Sequence, residues 1–168
     1  MWEIRIDRMK SSYFSPDIQE FIRLLSVYNV RYLIVGGEAV IYYGYARLTG
    51  DIDFFYERTN ENTKSLYTAL KDFWAGNIPG LENYQEFMTK GAIIQFGRPP
   101  NRMDLINDIS GVSFEQAWPN RNSEDIEIGG KKYSVYFIGL KDLIKNKQKA
   151  KRYKDMEDLK YLNSIKKK

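Results

Sequence analysis

Neither cysteine nor histidine occurs among the 168 residues of this sequence. Disulfide bonds, zinc sites built from Cys or His, and catalysis by a Ser-His or Cys-His arrangement are therefore excluded. Long apolar runs are absent as well, because no segment approaches the roughly 20 apolar residues that a membrane helix needs. Any chemistry must come from carboxylates, lysines, arginines, hydroxyl groups and backbone amides.

Signals for export or for several domains are also scarce. Residues 1–8 are charged where a secretory signal peptide would be apolar, so we expect a cytoplasmic protein without a membrane segment. The composition, with 43% hydrophobic and 29% charged residues, is typical of one compact domain that spans residues 1–168.

Positive charge is concentrated at the C-terminal end of the chain. The net charge is +4, and residues 141–168 hold eleven Lys or Arg against four Asp or Glu. Such a basic segment can attract the phosphates of a nucleotide or an RNA. For any single lysine, however, a solvated helix face is the simpler interpretation.

The hydrophobic pattern alternates between strand-like and helix-like segments. Short apolar runs next to glycine or proline predict strands, and apolar residues three or four positions apart predict helices. The predicted strands are 32–35, 51–56, 92–96, 103–106, 125–128 and 132–137, and the predicted helices begin near Pro16, Glu38, Asn60 and Phe114 and cover most of 141–168. Together they predict an α/β or α+β fold, a mixed β-sheet flanked by helices.

Two aspartates begin the second predicted strand. Side chains alternate along a strand, so Asp51 and Asp53 share one face with Cα atoms roughly 6.6–6.8 Å apart, while Ile52 and Phe54 face the core. If the two carboxylates came within about 5 Å, their repulsion would cost on the order of 3 kcal/mol at an effective dielectric constant near 20. A divalent cation removes that cost, and Mg²⁺ prefers carboxylate oxygens and substrate phosphates. The pair therefore indicates a candidate metal site.

A glycine pair lies between the first predicted strand and the following helix. Gly36 and Gly37 let the backbone approach a ligand closely and present free N–H groups at a helix start, where phosphate binds favourably. A strand, a glycine turn, a helix and paired carboxylates together indicate a site for a nucleoside triphosphate.

These motifs resemble the nucleotidyltransferase superfamily built on the DNA polymerase β-like fold. The glycine pair is followed fourteen positions later by Asp51-Ile52-Asp53, and Asp104 alternates with apolar neighbours on a later strand. The segments Arg47-x-Thr49-x-Asp51-Ile52-Asp53 and Lys147-x₄-Arg152-x-Lys154-Asp155-x₂-Asp158-Leu159 look more narrowly like small single-domain bacterial and archaeal members related to abortive-infection and toxin–antitoxin nucleotidyltransferases. The likeness covers about residues 15–162.

The resemblance implies a triphosphate donor, ATP among the candidates, and two Mg²⁺ ions. It implies Asp51, Asp53 and Asp104 as metal ligands and catalytic carboxylates, with Asp108 as a rival for the third place. It implies nucleotide contacts from seven residues, Gly36, Gly37, Arg47, Thr49, Lys147, Arg152 and Lys154.

Several of these residues have a structural alternative. Arg47 either holds a phosphate or pairs with a carboxylate such as Asp51, and Thr49 is expected to shape its turn by bonding nearby backbone. The basic residues near the C-terminus either contact the triphosphate or form a solvated face, with Lys154 and Asp158 as an i, i+4 pair.

The function we predict is metal-dependent transfer of a nucleoside monophosphate to an acceptor hydroxyl or phosphate, with release of pyrophosphate. The sequence leaves the acceptor open among tRNA or another RNA, a protein, another nucleotide and an antibiotic-like compound. Two alternatives stay open: a non-catalytic nucleotide- or RNA-binding module of the same fold, and one component of a toxin–antitoxin pair whose antitoxin partner covers the site.

Overall fold

The computed structural model describes residues 13–166, and these form an α+β fold with one mixed six-stranded sheet. The strands are β1 Tyr32–Val35, β2 Asp51–Tyr56, β3 Ile93–Phe96, β4 Arg102–Ile106, β5 Asn122–Ile128 and β6 Lys131–Phe137. The α-helices are α1 Pro16–Val27, α2 Gly36–Tyr42, α3 Asn60–Phe73, α4 Phe114–Ala117, α5 Leu140–Ala150 and α6 Tyr153–Lys166, and 3₁₀ turns cover Tyr84–Met88 and Trp118–Asn120. The charged residues 1–8 and the last two lysines of the basic segment lie outside the described residues.

The sheet has the strand order β3-β4-β2-β1-β6-β5. Strand β2 is antiparallel to β1 and parallel to β4, so it lies inside the sheet with a partner on each side. The outer pairs, β3 with β4 and β5 with β6, are antiparallel. The mixed sheet flanked by helices that the sequence predicts is confirmed.

Local sequence signals explain where several elements begin. Ser15 caps α1 by accepting a hydrogen bond from the backbone N–H of Ile18 at 3.4 Å, and Pro16 occupies the first turn. Thr59 caps α3 in the same way. The helix expected to start at Glu38 starts at Gly36 instead, so the glycine pair forms its first turn.

The limits of β1 and β2 are as predicted, and the other four strands differ from the sequence prediction by one to three residues. Strand β3 begins one residue later than predicted, at Ile93, whereas β4 begins one residue earlier, at Arg102. The hairpin strand β5 begins at Asn122 rather than Asp125, because backbone pairing with β6 continues through polar residues that carry no apolar signal.

The two faces of β2 carry different kinds of side chain. Ile52 and Phe54 are buried on one face, where the Phe54 ring meets Phe21 of α1 edge to face at 5.2 Å. On the opposite face Phe55 contacts Phe114 of α4 at 5.3 Å. The face that carries the two aspartates is therefore polar at the start of the strand and apolar further along.

The basic C-terminal segment forms two helices that contact each other, α5 and α6. Lys151 separates them in the left-handed conformation, with φ of 54°. Among residues 13–166, no helix is both long and apolar enough to cross a membrane.

Candidate active site

Three carboxylates meet at one point of the sheet. One ligand oxygen from each of Asp51, Asp53 and Asp104 can be chosen so that all three lie within 4.8 Å of one another. Asp104 is buried, with 6% of its surface exposed, and the other two are half-buried. The residue preferred in the sequence analysis as the third acid thus lies beside the first two.

Strand register explains this convergence. In the parallel pairing of β2 with β4, Asp53 is the partner of Asp104, and Asp51 is the partner of Arg102. Residues two apart on a strand share a face, so all four side chains project from the same side of the sheet. Because β4 has β3 on its other side, Asp104 is on an interior strand and not on the sheet edge.

The glycine turn lies directly against this cluster. Gly36 has φ of +66°, and a Cβ atom there would collide with Oδ2 of Asp53. A Cβ atom on Gly37 would lie 2.9 Å from Oγ1 of Thr49 and 3.0 Å from Nη2 of Arg47. The start of α2 therefore comes close to both the carboxylates and the loop that precedes β2.

A cavity of about 490 Å³ contains the cluster and the glycine turn. Its lining includes all ten residues proposed from the sequence: Gly36, Gly37, Arg47, Thr49, Asp51, Asp53, Asp104, Lys147, Arg152 and Lys154. Asp108, the rival third acid, also lines the cavity but is exposed and outside the carboxylate cluster. The acids and the glycine turn therefore share a cleft.

Burial and mutual repulsion act on the carboxylates. Burial, followed by the negative charges of Asp51 and Asp104, raises the pKa of Asp53 to about 7, while Lys154 and Arg102 act in the opposite direction. Burial also raises the pKa of Asp104, against the hydrogen bonds from Arg102. A bound cation would relieve the cost of holding these groups ionised.

Arg102 is a site residue that the sequence analysis missed. Its Nη2 donates to Oδ2 of Asp51 at 2.6 Å and to Oδ2 of Asp104 at 3.2 Å, and its Nε donates to Oδ1 of Asp104 at 3.0 Å. The available signal was its spacing of two from Asp104, which places both side chains on one strand face. The prediction started the strand at Met103 and so left Arg102 in the loop.

The two residues of the loop before β2 have defined contacts. Arg47 pairs with a carboxylate, as one of the two alternatives predicted, but this carboxylate belongs to Asp158 and not to Asp51. Its Nη2 donates to Oδ2 of Asp158 at 3.1 Å, and its Nε lies 3.0 Å from Oδ1 of the same residue. The hydroxyl of Thr49 donates to the backbone oxygen of Asp51 at 3.1 Å, which confirms its expected turn-forming role.

A buried ion network joins the two C-terminal helices. Nζ of Lys147 on α5 lies 2.9 Å from Oδ1 of Asp155 and 3.0 Å from Oδ2 of Asp158, both on α6. All three side chains are at most 1% exposed. The i, i+4 pair expected between Lys154 and Asp158 was wrong, because Asp158 points inward to Lys147 and Arg47.

The other basic residues between positions 141 and 166 are exposed. Arg152 lines the cavity while its Nε donates to Oδ2 of Asp155 at 2.9 Å. Lys154 lines the cavity close enough for its charge to lower the pKa of Asp53. Three basic residues were predicted to contact phosphate. Of these, Lys147 joins α5 to α6 through its buried ion pairs, and Lys154 is the one whose charge acts on Asp53.

The donor set of the cluster fits a hard divalent cation. Three carboxylates supply oxygen ligands only, and the spacing of one oxygen from each is short enough for a shared ion. Burial first, and then the negative charges of Asp51 and Asp104, raise the pKa of Asp53, and a cation bound beside it would offset both effects. These residues therefore suit Mg²⁺ or Mn²⁺.

Comparison with known families gives one match. The family model described as "Nucleotidyltransferase of unknown function (DUF6036)" matches residues 16–167. This range includes the whole carboxylate cluster, the glycine turn and both C-terminal helices. Comparisons with curated proteins and with solved structures gave no match.

Proposed function

The chain belongs to this nucleotidyltransferase family, and we propose that it transfers a nucleoside monophosphate from a triphosphate donor to an acceptor hydroxyl or phosphate in a reaction that requires Mg²⁺. The single observation that carries the proposal is the meeting of Asp51, Asp53 and Asp104 in one cleft with the Gly36-Gly37 turn.

The three carboxylates are assigned to the metal. Asp51 and Asp53 would hold two Mg²⁺ ions, and Asp104 would complete the shell of one of them. When bound, the metal supplies positive charge at the phosphates and lowers the pKa of the acceptor hydroxyl. Asp104, buried beside the reaction centre, is assigned to accept the proton of that hydroxyl.

The rest of the cleft is assigned to the triphosphate. The backbone of Gly36 and Gly37 approaches the phosphates, and Lys154 supplies a cation near the carboxylates. The acceptor oxygen forms a bond to the α-phosphorus while the bond from that phosphorus to the oxygen bridging to the β-phosphate breaks. Pyrophosphate leaves with the electron pair, and cationic side chains stabilise its charge.

The identity of the acceptor follows from a labelling experiment. The purified protein is incubated with Mg²⁺, each α-labelled nucleoside triphosphate in turn, and separated RNA, protein and small-molecule fractions of a cell extract. We expect one fraction to take up label only when Mg²⁺ is present. Label in no fraction, despite metal-dependent triphosphate binding, would favour the non-catalytic binding module.

A matched pair of variants tests the carboxylate assignment. Asp104→Asn is expected to abolish label transfer and to weaken Mn²⁺ binding. Asp108→Asn removes an acid that lines the same cavity but lies outside the cluster, and this variant is expected to keep both label transfer and Mn²⁺ binding. Circular dichroism shows whether both variants are folded. If they are, loss of label transfer and Mn²⁺ binding in Asp108→Asn but not in Asp104→Asn would overturn the assignment of Asp104.

A further inference from the structure

Arg102 contacts two of the three carboxylates of the cluster, Asp51 and Asp104. Its guanidinium donates to both oxygens of Asp104 and to one oxygen of Asp51, at 2.6 to 3.2 Å. These oxygens belong to the carboxylates that the proposed function assigns to metal. We propose that Arg102 is a built-in counter-ion that gives up these oxygens to the metal and transfers its guanidinium to the triphosphate, so that metal and nucleotide bind cooperatively. The inference rests on the proposed function.

The contacts leave little room for a guanidinium and an ion together. A Mg²⁺ ion approaches its oxygen ligands to about 2.0–2.1 Å and requires near-octahedral geometry. Arg102 already uses Oδ1 and Oδ2 of Asp104 and Oδ2 of Asp51. Two cations at the same oxygens would also repel each other, so a metal ion that uses these oxygens competes with the guanidinium of Arg102 for them.

The backbone of Arg102 is fixed by the sheet, whereas its side chain is partly exposed. The residue is the register partner of Asp51 in the pairing of β2 with β4, so its Cα position is fixed by the sheet. Its side chain is 32% exposed, in contrast to Lys147, at 1%. A swing of the side chain toward the cleft would break its hydrogen bonds to Asp51 and to the buried Asp104, whose oxygens the metal would then take.

The cleft provides the next partner for the displaced guanidinium. Arg102 lines the same cavity as the glycine turn, where the proposed function places the triphosphate. The planar fork of arginine suits two phosphate oxygens as well as two carboxylate oxygens. Metal alone must displace Arg102 without compensation, whereas metal with nucleotide offers it a new anion. This difference produces the cooperativity.

Binding measurements without turnover test the proposal. Mn²⁺ is titrated into the wild type and Arg102→Gln by calorimetry or electron paramagnetic resonance, with and without a non-hydrolysable triphosphate analogue. Without nucleotide, Arg102→Gln is expected to bind Mn²⁺ about tenfold more tightly, the change expected from loss of competing charge-assisted hydrogen bonds. With Mn²⁺ present, the variant is expected to bind the analogue more weakly than the wild type.

Two further variants separate this effect from general electrostatics and from misfolding. Arg98→Gln removes the same charge from an exposed position in the loop before β4 and is expected to leave Mn²⁺ affinity within about twofold. Arg102→Lys keeps the positive charge but loses the forked guanidinium group. Its Mn²⁺ affinity is expected to lie between that of the wild type and that of Arg102→Gln.

The outcomes distinguish this inference from the proposed function. Equal or weaker Mn²⁺ binding by a folded Arg102→Gln, in a protein whose wild type binds metal and nucleotide, overturns the counter-ion role alone. Retention of full cooperativity in that variant does the same. A wild type that binds neither Mn²⁺ nor the analogue contradicts the proposed function itself.

Discussion

Arg47 and Asp158 join the loop before β2 to the C-terminal helix across 111 positions of the sequence. A hydrogen bond from Nη2 to Oδ2 at 3.1 Å and an ion-pair contact from Nε to Oδ1 at 3.0 Å hold the guanidinium against this carboxylate. The same guanidinium lies next to Gly37. The C-terminal helices therefore help to shape the candidate active site.

Replacement of Asp158 by asparagine is expected to destabilise the protein. The change leaves Arg47 and Lys147 without the negative charge that both contact inside the molecule. Removal of one partner from a buried ion network costs about 3 kcal/mol or more of the free energy of unfolding. Urea denaturation followed by circular dichroism measures this loss. Glu157→Gln, an exposed neighbour on α6, is the matched control and should change the free energy of unfolding by less than about 0.5 kcal/mol.

Replacement of Lys154 by glutamine is expected to weaken nucleotide binding. Its charge acts on Asp53 from the rim of the cavity, where the proposed function places the triphosphate. Loss of one charge-assisted contact to phosphate corresponds to about tenfold in affinity. Binding of a fluorescent triphosphate analogue in the presence of Mn²⁺ measures the change. Lys160→Gln alters an exposed lysine of α6 outside the cavity lining and should bind the analogue normally; equal losses in the two variants would contradict a specific role.

Local sequence patterns were sufficient to predict the elements that carry the acids and the glycine turn. Alternation along Asp51-Ile52-Asp53 fixes which side chains share a face, and the apolar neighbours of Asp104 indicate a second strand of the same kind. These signals depend only on residues within a few positions of each other. For that reason the strands that carry the three carboxylates could be predicted from local patterns, whereas the grouping of Asp104 with Asp51 and Asp53 followed from the resemblance to nucleotidyltransferases.

The charge partners could not be predicted in the same way. Arg102 meets Asp51 across 51 positions and Arg47 meets Asp158 across 111, and both pairings depend on how distant elements are placed. In the sequence, Lys147 belongs to a basic segment that favours a solvated face. In the fold it is buried, because two of the few acids in that segment turn inward to meet it.

The contribution of Asp53 to the stability of the metal-free protein is expected to fall as the pH rises from about 4 to about 7. The pKa of Asp53 is about 7 in the folded protein against an ordinary value of 3.8, so over this interval the folded state retains a proton that the unfolded chain has released. Asp53→Asn cannot ionise, so its free energy of unfolding should depend less on pH and should exceed that of the wild type near pH 8.

Urea denaturation in the presence of a chelator, at about pH 5 and about pH 8, measures this difference. Asp125→Asn, at an exposed position on β5, is the control and should keep the pH dependence of the wild type. Equal pH dependence in the wild type and Asp53→Asn would show that Asp53 ionises as readily in the folded protein as in the unfolded chain.

Two glycines with similar positive φ angles test how closely the turn approaches the acids. Gly36 has φ of +66° and Gly80 has φ of +72°. A Cβ atom added at Gly36 would collide with Asp53, whereas a Cβ atom added at Gly80 would have no other heavy atom within 4 Å. Both Gly→Ala changes carry the cost of the left-handed conformation, roughly 1–2 kcal/mol. Overpacking should lower the free energy of unfolding of Gly36→Ala by about 1–3 kcal/mol more than that of Gly80→Ala. Gly36→Ala should also bind Mn²⁺ more weakly, because Asp53 must move. Thermal unfolding and Mn²⁺ titration of the two variants measure both effects, and normal metal affinity in Gly36→Ala would mean that the turn and the carboxylates are not coupled.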